Sequence, residues 1–165
     1  MLRNILLLSA LGLGGFEAGS AQATVHVKSP DVSGTRALQE QTATAAIRNY
    51  LQAWEGFKSA FEQNRVDALD RDFIGTAKDK LSATVQQQES LGIRSKYQDK
   101  VHDIQIVFYS PDGLSLELID DVEYNVQLID HDKAAGSRAV KARYVTVMTP
   151  TETKWRVRVF QALPE

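Results

Sequence analysis

The sequence predicts an α+β domain in which N-terminal helices pack on a curved antiparallel sheet of about four strands. Between residues 35 and 64, apolar residues recur every three or four positions, which is the period of an amphipathic helix. After about residue 100, apolar residues alternate with polar ones, which is the period of a strand with one face buried. Helices followed by consecutive strands of this type favour a two-layer α+β architecture.

The first helix is predicted over about residues 35 to 64. Its apolar stripe consists of Ile47, Tyr50, Trp54, Phe57 and Phe61. Such a stripe needs an apolar partner surface, which the sheet provides. Gly56 lies inside this helix, where glycine costs about 1 kcal/mol relative to alanine. We interpret Gly56 as a point where another element comes close to the helix.

A second, shorter helix is predicted between Thr76 and Gly92. Thr76 is the expected N-cap, and Gly92 is expected to end the helix because glycine adopts the left-handed conformation found at such ends. Leu81 and Val85 supply its thin apolar face.

Four strands are predicted after residue 100. The first begins near His102 and ends at a turn over residues 110–113. The second places the even-numbered residues from 114 to 128 on one face, with Asp120 among apolar side chains. Because this alternation is longer than a typical strand, we expect a bend or bulge at Asp120 and Asp121. The last two strands are predicted over residues 140–148 and 154–160.

The two middle strands carry opposite charges. Seven acids and no Lys or Arg lie between residues 112 and 132, whereas six bases and one acid lie between residues 138 and 158. A hairpin that turns near residue 134 sets these charges opposite each other, so we expect ion pairs across the strands. The alternative is a nucleic-acid surface built on Arg143, Arg156 and Arg158, whose affinity would fall steeply with salt. We favour the ion pairs and expect no nucleic-acid partner.

Residues 1–23 have the features of a secretory signal peptide that is cleaved after Ala23. Arg3 precedes an apolar stretch, and Ala21 and Ala23 fit the small-x-small cleavage rule. The apolar run is shorter than the ~20 residues that a membrane-spanning helix needs, so the alternative of a membrane anchor is disfavoured. We expect a periplasmic or secreted protein with a flexible leader over residues 24–34 and one domain over residues 35–165.

The composition excludes several kinds of site. The 165 residues include no cysteine, which removes disulfides, thiol nucleophiles and cysteine-ligated metals. His131 and Asp132 are adjacent in a predicted turn, where consecutive residues rarely converge on one metal ion. Neither a phosphate-binding glycine loop nor a serine-nucleophile motif occurs after residue 23. We therefore predict neither a metal nor a cofactor.

Three features resemble the nuclear transport factor 2-like (SnoaL-like) superfamily, which includes ketosteroid isomerases and polyketide cyclases. They are the aromatic stripe of the first helix, the turn at residues 66–69 and the basic, tryptophan-containing segment at residues 154–157. The resemblance implies a cone-shaped fold with an internal pocket, and a homodimer formed through the charged face of the sheet. The implied pocket residues are Trp54, Leu118, Tyr124, Tyr144, Met148 and Trp155, with His102 and Asp120 beside them. Gly92 also resembles the protein-interaction branch of the family, such as the intermembrane-space domain of a plastid division protein.

The family contains both binding domains and enzymes, and the sequence leaves both functions open. We expect a non-catalytic domain that binds a small apolar ligand or a protein. The alternative is an isomerase, dehydratase or cyclase in which Asp120 is the base, Tyr124 or Tyr144 polarises a carbonyl, and His102 belongs to the same cluster. An open pocket of roughly 300 Å3 or more with Asp120 beside a tyrosine hydroxyl favours the enzyme, whereas a filled pocket favours protein interaction.

Overall fold

The computed structural model describes residues 22–163 except residues 33 and 35. The helices are α1 (Glu40–Gln63), a 3-10 helix (Val66–Leu69) and α2 (Gly75–Ser90). The strands are β1 (Thr24–Val27), β2 (Ile93–Tyr109), β3 (Leu116–Asp130), β4 (Lys133–Pro150) and β5 (Trp155–Leu163). The α-helices pack on a five-stranded sheet, so the α+β prediction is confirmed. No helix in the described part of the chain is long and apolar enough to cross a membrane. Residues 1–21 of the predicted signal peptide lie outside the described residues.

The sheet is mixed, because one of its strands runs parallel to its neighbour. Strands β2 to β5 are antiparallel in chain order, but β1 pairs with β2 in parallel, from Thr24 opposite Val101 to Val27 opposite Ile104. The sheet therefore has one strand more than the about four antiparallel strands predicted, and the additional strand is formed by residues 24–27 of the predicted leader. Four residues show too little alternation to reveal a strand, and their partner lies far along the sequence beyond both helices.

The bulge nearest to the His102 end of the sheet lies in β2, and β3 has none at Asp120 and Asp121. Strand β3 runs without interruption through Asp120 and Asp121, so the bend predicted there is wrong. In β2 the register shifts between Asp99 and Val101, where one extra residue bends the strand. Strand β2 also begins at Ile93, earlier than predicted, since residues 93–100 are mostly polar and show little alternation.

The core lies between the aromatic stripe of α1 and the inner face of the sheet. Trp54 is 1% exposed, and the even-numbered residues of β3 from Leu116 to Tyr124 are buried as predicted. The predicted face is too long at both ends, because Leu114 and Leu128 are exposed. Helix and sheet thus bury each other's apolar surface, which is the main favourable contribution to folding.

The outer face of β3 and β4 carries the predicted ion pairs. Asp121 accepts hydrogen bonds of 2.6 and 2.9 Å from Arg143, and Glu123 accepts one of 2.5 Å from Lys141. These residues are direct partners in the strand register, so each charge faces its opposite across the strands. Arg156 donates to backbone carbonyls in the loop before α2. Two of the three arginines of the alternative nucleic-acid surface are therefore already engaged.

Helix α2 begins differently from the prediction and ends as predicted. Its N-cap is Ile74, which provides no side-chain hydrogen bond, and the helix starts at Gly75. The hydroxyl of Thr76 donates instead to the backbone oxygen of Arg158 in β5, which ties the helix to the sheet. At the other end, Gly92 has a φ of +69°, the left-handed conformation that glycine adopts readily.

Candidate functional site

A cleft of about 1280 Å3 opens between α1, β1 and β2. Val25 and Val27 line it from the edge of the sheet, and the most buried lining residues, Trp54, Asp99 and His102, form its floor. Helix α1 contributes a second stripe of side chains, next to the stripe that enters the core. That stripe includes Thr44, Ile47, Arg48, Leu51, Glu55 and Lys58. Their spacing of three and four residues places them on one face of the helix.

A buried histidine lies between two aspartates at the floor of the cleft. The Nδ1 atom of His102 is 2.6 Å from Oδ2 of Asp120, and its Nε2 atom is 3.8 Å from Oδ2 of Asp99. All three side chains are at most 4% exposed. Residues three apart in a regular strand point to opposite faces, but the register shift after Asp99 lets Asp99 and His102 share one face. The irregularity of β2 therefore assembles the site.

Two residues of α1 complete this group, which we call the His102 cluster: His102, Asp99, Asp120, Tyr50 and Lys58. The Tyr50 hydroxyl donates to Oδ2 of Asp120 at 2.8 Å. The Lys58 ammonium donates to Oδ2 of Asp99 at 2.6 Å. The helix thus holds both carboxylates from above while β2 and β3 present them from below.

The His102 cluster changes the pKa values of its members. Burial lowers the pKa of His102, but hydrogen bonding and charge from Asp120 and Asp99 outweigh burial and raise it to about 9. Burial raises the pKa of Asp99, but hydrogen bonds from His102 and Lys58 lower it below its usual value. Burial, together with the Asp120 carboxylate, raises the pKa of Tyr50 well above its usual value. At neutral pH the cluster therefore holds a protonated imidazole between carboxylates.

Asp120 is completely buried and does not line the cleft. Its Oδ2 atom contacts the hydroxyl of Tyr50 and Nδ1 of His102. Its Oδ1 atom has no hydrogen-bond partner among the described residues. Asp120 therefore faces the cleft only through the ring of His102.

Tyr124 and Tyr144 pack in the core, away from the cleft. Their hydroxyl oxygens lie 3.3 Å apart, and each residue is 7% exposed. Burial and the Tyr124 hydroxyl raise the pKa of Tyr144. The other predicted pocket residues that belong to this core are Leu118, Met148 and Trp155. Of all the predicted pocket residues, Trp54 and His102 line the cleft, so the interior of the cone is filled by the protein's own side chains.

The residues that the sequence analysis did not identify are Tyr50, Lys58 and Asp99 in their polar roles. The ring of Tyr50 belongs to the apolar stripe, as predicted, while its hydroxyl reaches Asp120. Asp99 precedes the predicted start of the strand, so no pattern marked it. The spacing of three residues between Asp99 and His102 indicates a shared face only if a bulge is already assumed between them.

The side chains of His131 and Asp132, considered above as metal ligands, do not converge on one point. His131 contacts Asp130 at 2.5 Å, whereas Asp132 accepts a hydrogen bond from Arg94. Among the residues that the structure describes, no group of three His, Asp or Glu side chains is arranged to hold a metal ion.

Comparisons with known proteins show the fold. No protein-family model matches the sequence, and no curated protein matches it. The intermembrane-space region of the chloroplast protein ARC6 superposes with a TM-score of 0.64 at 12% identity, covering 79% of this chain and 100% of that one. A candidate scytalone dehydratase from Novosphingobium aromaticivorans superposes with a TM-score of 0.53 at 11% identity, covering 76% and 89%.

The chain has the nuclear transport factor 2-like fold. The resemblance predicted from the sequence is thereby confirmed for the fold. Sequence identities of 12 and 11% to these two structures show a shared architecture. The function of this chain therefore has to be argued from its own site.

Proposed function

We propose that this nuclear transport factor 2-like domain binds a small amphipathic ligand in the cleft between α1 and β1 without converting it chemically. The observation that carries the proposal is an open cleft of about 1280 Å3 with apolar side chains on both walls. Ligand pockets typically occupy about 300–1,000 Å3, so the cleft is large enough for a small organic molecule. The walls are Val25 and Val27 on β1 and Ile47 and Leu51 on α1.

The polar floor of the cleft supports binding over catalysis. General acid–base catalysis needs a group within hydrogen-bond reach of the substrate, with a pKa near the working pH. Asp120 engages one nitrogen of His102 and Asp99 faces the other, and the pKa of about 9 keeps the ring protonated. Asp120 itself is 0% exposed. The base of the alternative enzyme therefore has no direct path to a ligand.

The binding proposal is tested with Nile red, a neutral dye whose fluorescence rises in apolar surroundings. We expect the purified protein to bind it, and the Leu51→Trp variant to bind it at least about tenfold more weakly because the larger ring fills the cleft. Leu91→Trp is the matched control, since Leu91 is 58% exposed and lies outside the cleft lining. Absence of binding to the native protein, or equal binding by both variants, would contradict the proposal.

A second candidate is an acid–base enzyme, and one observation favours it. The cleft is open, and a tyrosine hydroxyl lies 2.8 Å from Asp120, as expected for the enzyme, although the tyrosine is Tyr50 and not Tyr124 or Tyr144. In this reading the protonated His102, held by Asp120, donates a proton to the oxygen of a bound carbonyl while the Asp99 carboxylate, which also lines the cleft, accepts the α-proton, so that an enol forms. Solvent deuterium incorporation into a bicyclic ketone such as 2-decalone tests it. Exchange above the buffer rate that is lost in His102→Gln would establish the enzyme over the binding domain.

We also propose that two copies of the chain associate through the outer face of the sheet.

We propose further that the protein is exported. The apolar stretch and the cleavage pattern ending at Ala23 support export. Mass spectrometry of the protein recovered from a bacterial periplasm tests this proposal, with Thr24 as the expected first residue. A mature protein that still contains residues 1–23 would contradict it.

A further inference from the structure

The cleft lining contains two carboxylates, and both form ion pairs within the protein. Lys58 contacts Glu55 at 2.7 Å and Asp99 at 2.6 Å, and the ring of His102 lies 3.8 Å from Asp99. Each carboxylate of the lining therefore already has a cationic partner before any ligand enters.

Among the residues that the structure describes, one cation of the cleft lining has no carboxylate partner. Lys58 is engaged with its two carboxylates, and Lys96 forms an ion pair of 3.3 Å with Glu62. Arg48 is exposed and makes no hydrogen bond or ion pair with any residue that the structure describes. Its guanidinium is therefore available to a ligand in the cleft.

The position of Arg48 fits an anion attached to an apolar body. Arg48 follows Ile47 directly and precedes Leu51 by three residues, so its stem lies on the cleft-facing stripe of α1 beside two aliphatic side chains. A guanidinium can donate two parallel hydrogen bonds to a carboxylate, which gives geometric selectivity as well as affinity. The aliphatic walls lie alongside, and they suit a hydrocarbon chain.

We propose that the ligand class of the cleft is small amphipathic carboxylates, with the carboxylate on Arg48 and the hydrocarbon chain between Ile47 and Leu51 of α1 and Val25 and Val27 of β1. This inference rests on the proposed binding function and specifies its ligand. The observation behind it is charge complementarity: within the described part of the chain, the carboxylates of the lining are paired and Arg48 is not.

The test compares three probes of equal chain length by isothermal titration calorimetry at neutral pH. They are decanoate, 1-decanol and decylammonium, which carry a negative, a neutral and a positive head group. We expect decanoate to bind about tenfold more tightly than 1-decanol, and decylammonium to bind more weakly than either. Equal affinity for decanoate and 1-decanol, or tighter binding of decylammonium, would overturn the inference.

The charge is then removed with Arg48→Gln, and Arg158→Gln on β5 provides the same substitution at an exposed position outside the cleft lining. We expect Arg48→Gln to weaken decanoate binding about tenfold while leaving 1-decanol binding unchanged, and Arg158→Gln to change neither. Equal decanoate affinities in the two variants would overturn the inference. If the decanoate affinities are equal but Nile red still binds in the Leu51-dependent manner, the carboxylate preference is refuted and the binding function stands. If the protein binds none of the probes, both are refuted.

Discussion

Asp120 and Asp121 are neighbours in the sequence, but they occupy opposite environments. Asp120 points into the protein, is 0% exposed and contacts His102 and Tyr50. Asp121 points outward and pairs with Arg143 on the solvated face of the sheet. Buried charges depend on their partners much more strongly than exposed ones, because water cannot replace a lost partner. The same substitution at these two positions therefore compares the loss of a buried partner with the loss of an exposed one.

We predict that Asp120→Asn lowers the free energy of unfolding by about 3–5 kcal/mol, since it removes the charge that compensates the buried imidazolium. The neighbouring Asp121→Asn substitution is expected to cost less than about 1 kcal/mol, because it breaks an exposed pair. Urea unfolding of both variants at pH 7 provides the measurement. Similar losses at the two positions would show that Asp120 is not paired in a buried cluster.

The pKa of His102, raised to about 9 from the usual value near 6.5, predicts a pH dependence of stability. The stabilising interaction is fully present below pH 6.5, where the unfolded chain also binds the proton, and it is lost as the pH rises through about 9. We therefore expect the unfolding midpoint in urea to decline between about pH 6.5 and 9.

The pKa itself can be measured by NMR in the variant His26→Gln/His131→Gln. The chain has 3 histidines, so this variant retains His102 alone. The replaced rings are exposed, and the variant should fold normally. An imidazole that titrates near pH 6.5 would contradict the arrangement of carboxylates around the ring.

At the level of secondary-structure elements, two adjacent faces of α1 have different roles. One stripe, which includes Trp54, enters the core, and the adjacent stripe, which includes Leu51, faces the cleft. The 3-10 helix packs closely against α1 at Gly56, where an added Cβ would lie 3.1 Å from the backbone oxygen of Ala68 and 3.3 Å from Oδ2 of Asp72. The interpretation of Gly56 as a close approach is confirmed.

We predict that Gly56→Ala destabilises the protein by about 1 kcal/mol, although alanine is the better helix former. The gain of about 1 kcal/mol in helix propensity is outweighed by crowding against a backbone carbonyl and the buried Asp72, which overpacking data place at about 1–3 kcal/mol. Gly136→Ala is the matched control, since its Cβ would meet nothing within 4 Å. The comparison is made by thermal unfolding, and a higher midpoint for Gly56→Ala than for the native protein would refute the crowding argument.

At the level of the whole molecule, the sheet separates two apolar surfaces. Its inner face meets the helices, and its outer face carries half-buried aliphatic side chains that are paired in the strand register: Ile119 with Val145, and Val147 with Val159. A second copy of the chain would cover this outer patch, in agreement with the dimer that the family resemblance implies.

We predict that the native protein is a dimer and that Val147→Arg makes it monomeric, because the new charge would lie unpaired in the interface. Leu91→Arg changes an exposed residue on the helical side and should leave the dimer intact. Sedimentation velocity distinguishes the two states. A monomeric native protein would contradict the association that we propose.

Much of the architecture follows from local periodicity. The stripe from Ile47 to Phe61 determined the main helix, and the alternation after residue 100 determined most of the sheet and the inward face of β3. The opposite charges of β3 and β4 also determined their pairing, since Asp121 and Arg143 meet in register. These features are visible in the sequence because the period of a helix or strand is set by neighbouring residues along the chain.

Only the tertiary structure decided the site. The strand β1 exists because β2 offers it an edge, and the cleft exists because that strand stands apart from α1. The bulge after Asp99 turns Asp99 and His102 to the same side, and Lys58 and Tyr50 reach them across the helix–sheet interface. Contacts of this kind join residues that are distant in the sequence, and their burial sets which groups are charged and which are paired. No periodic pattern records either property.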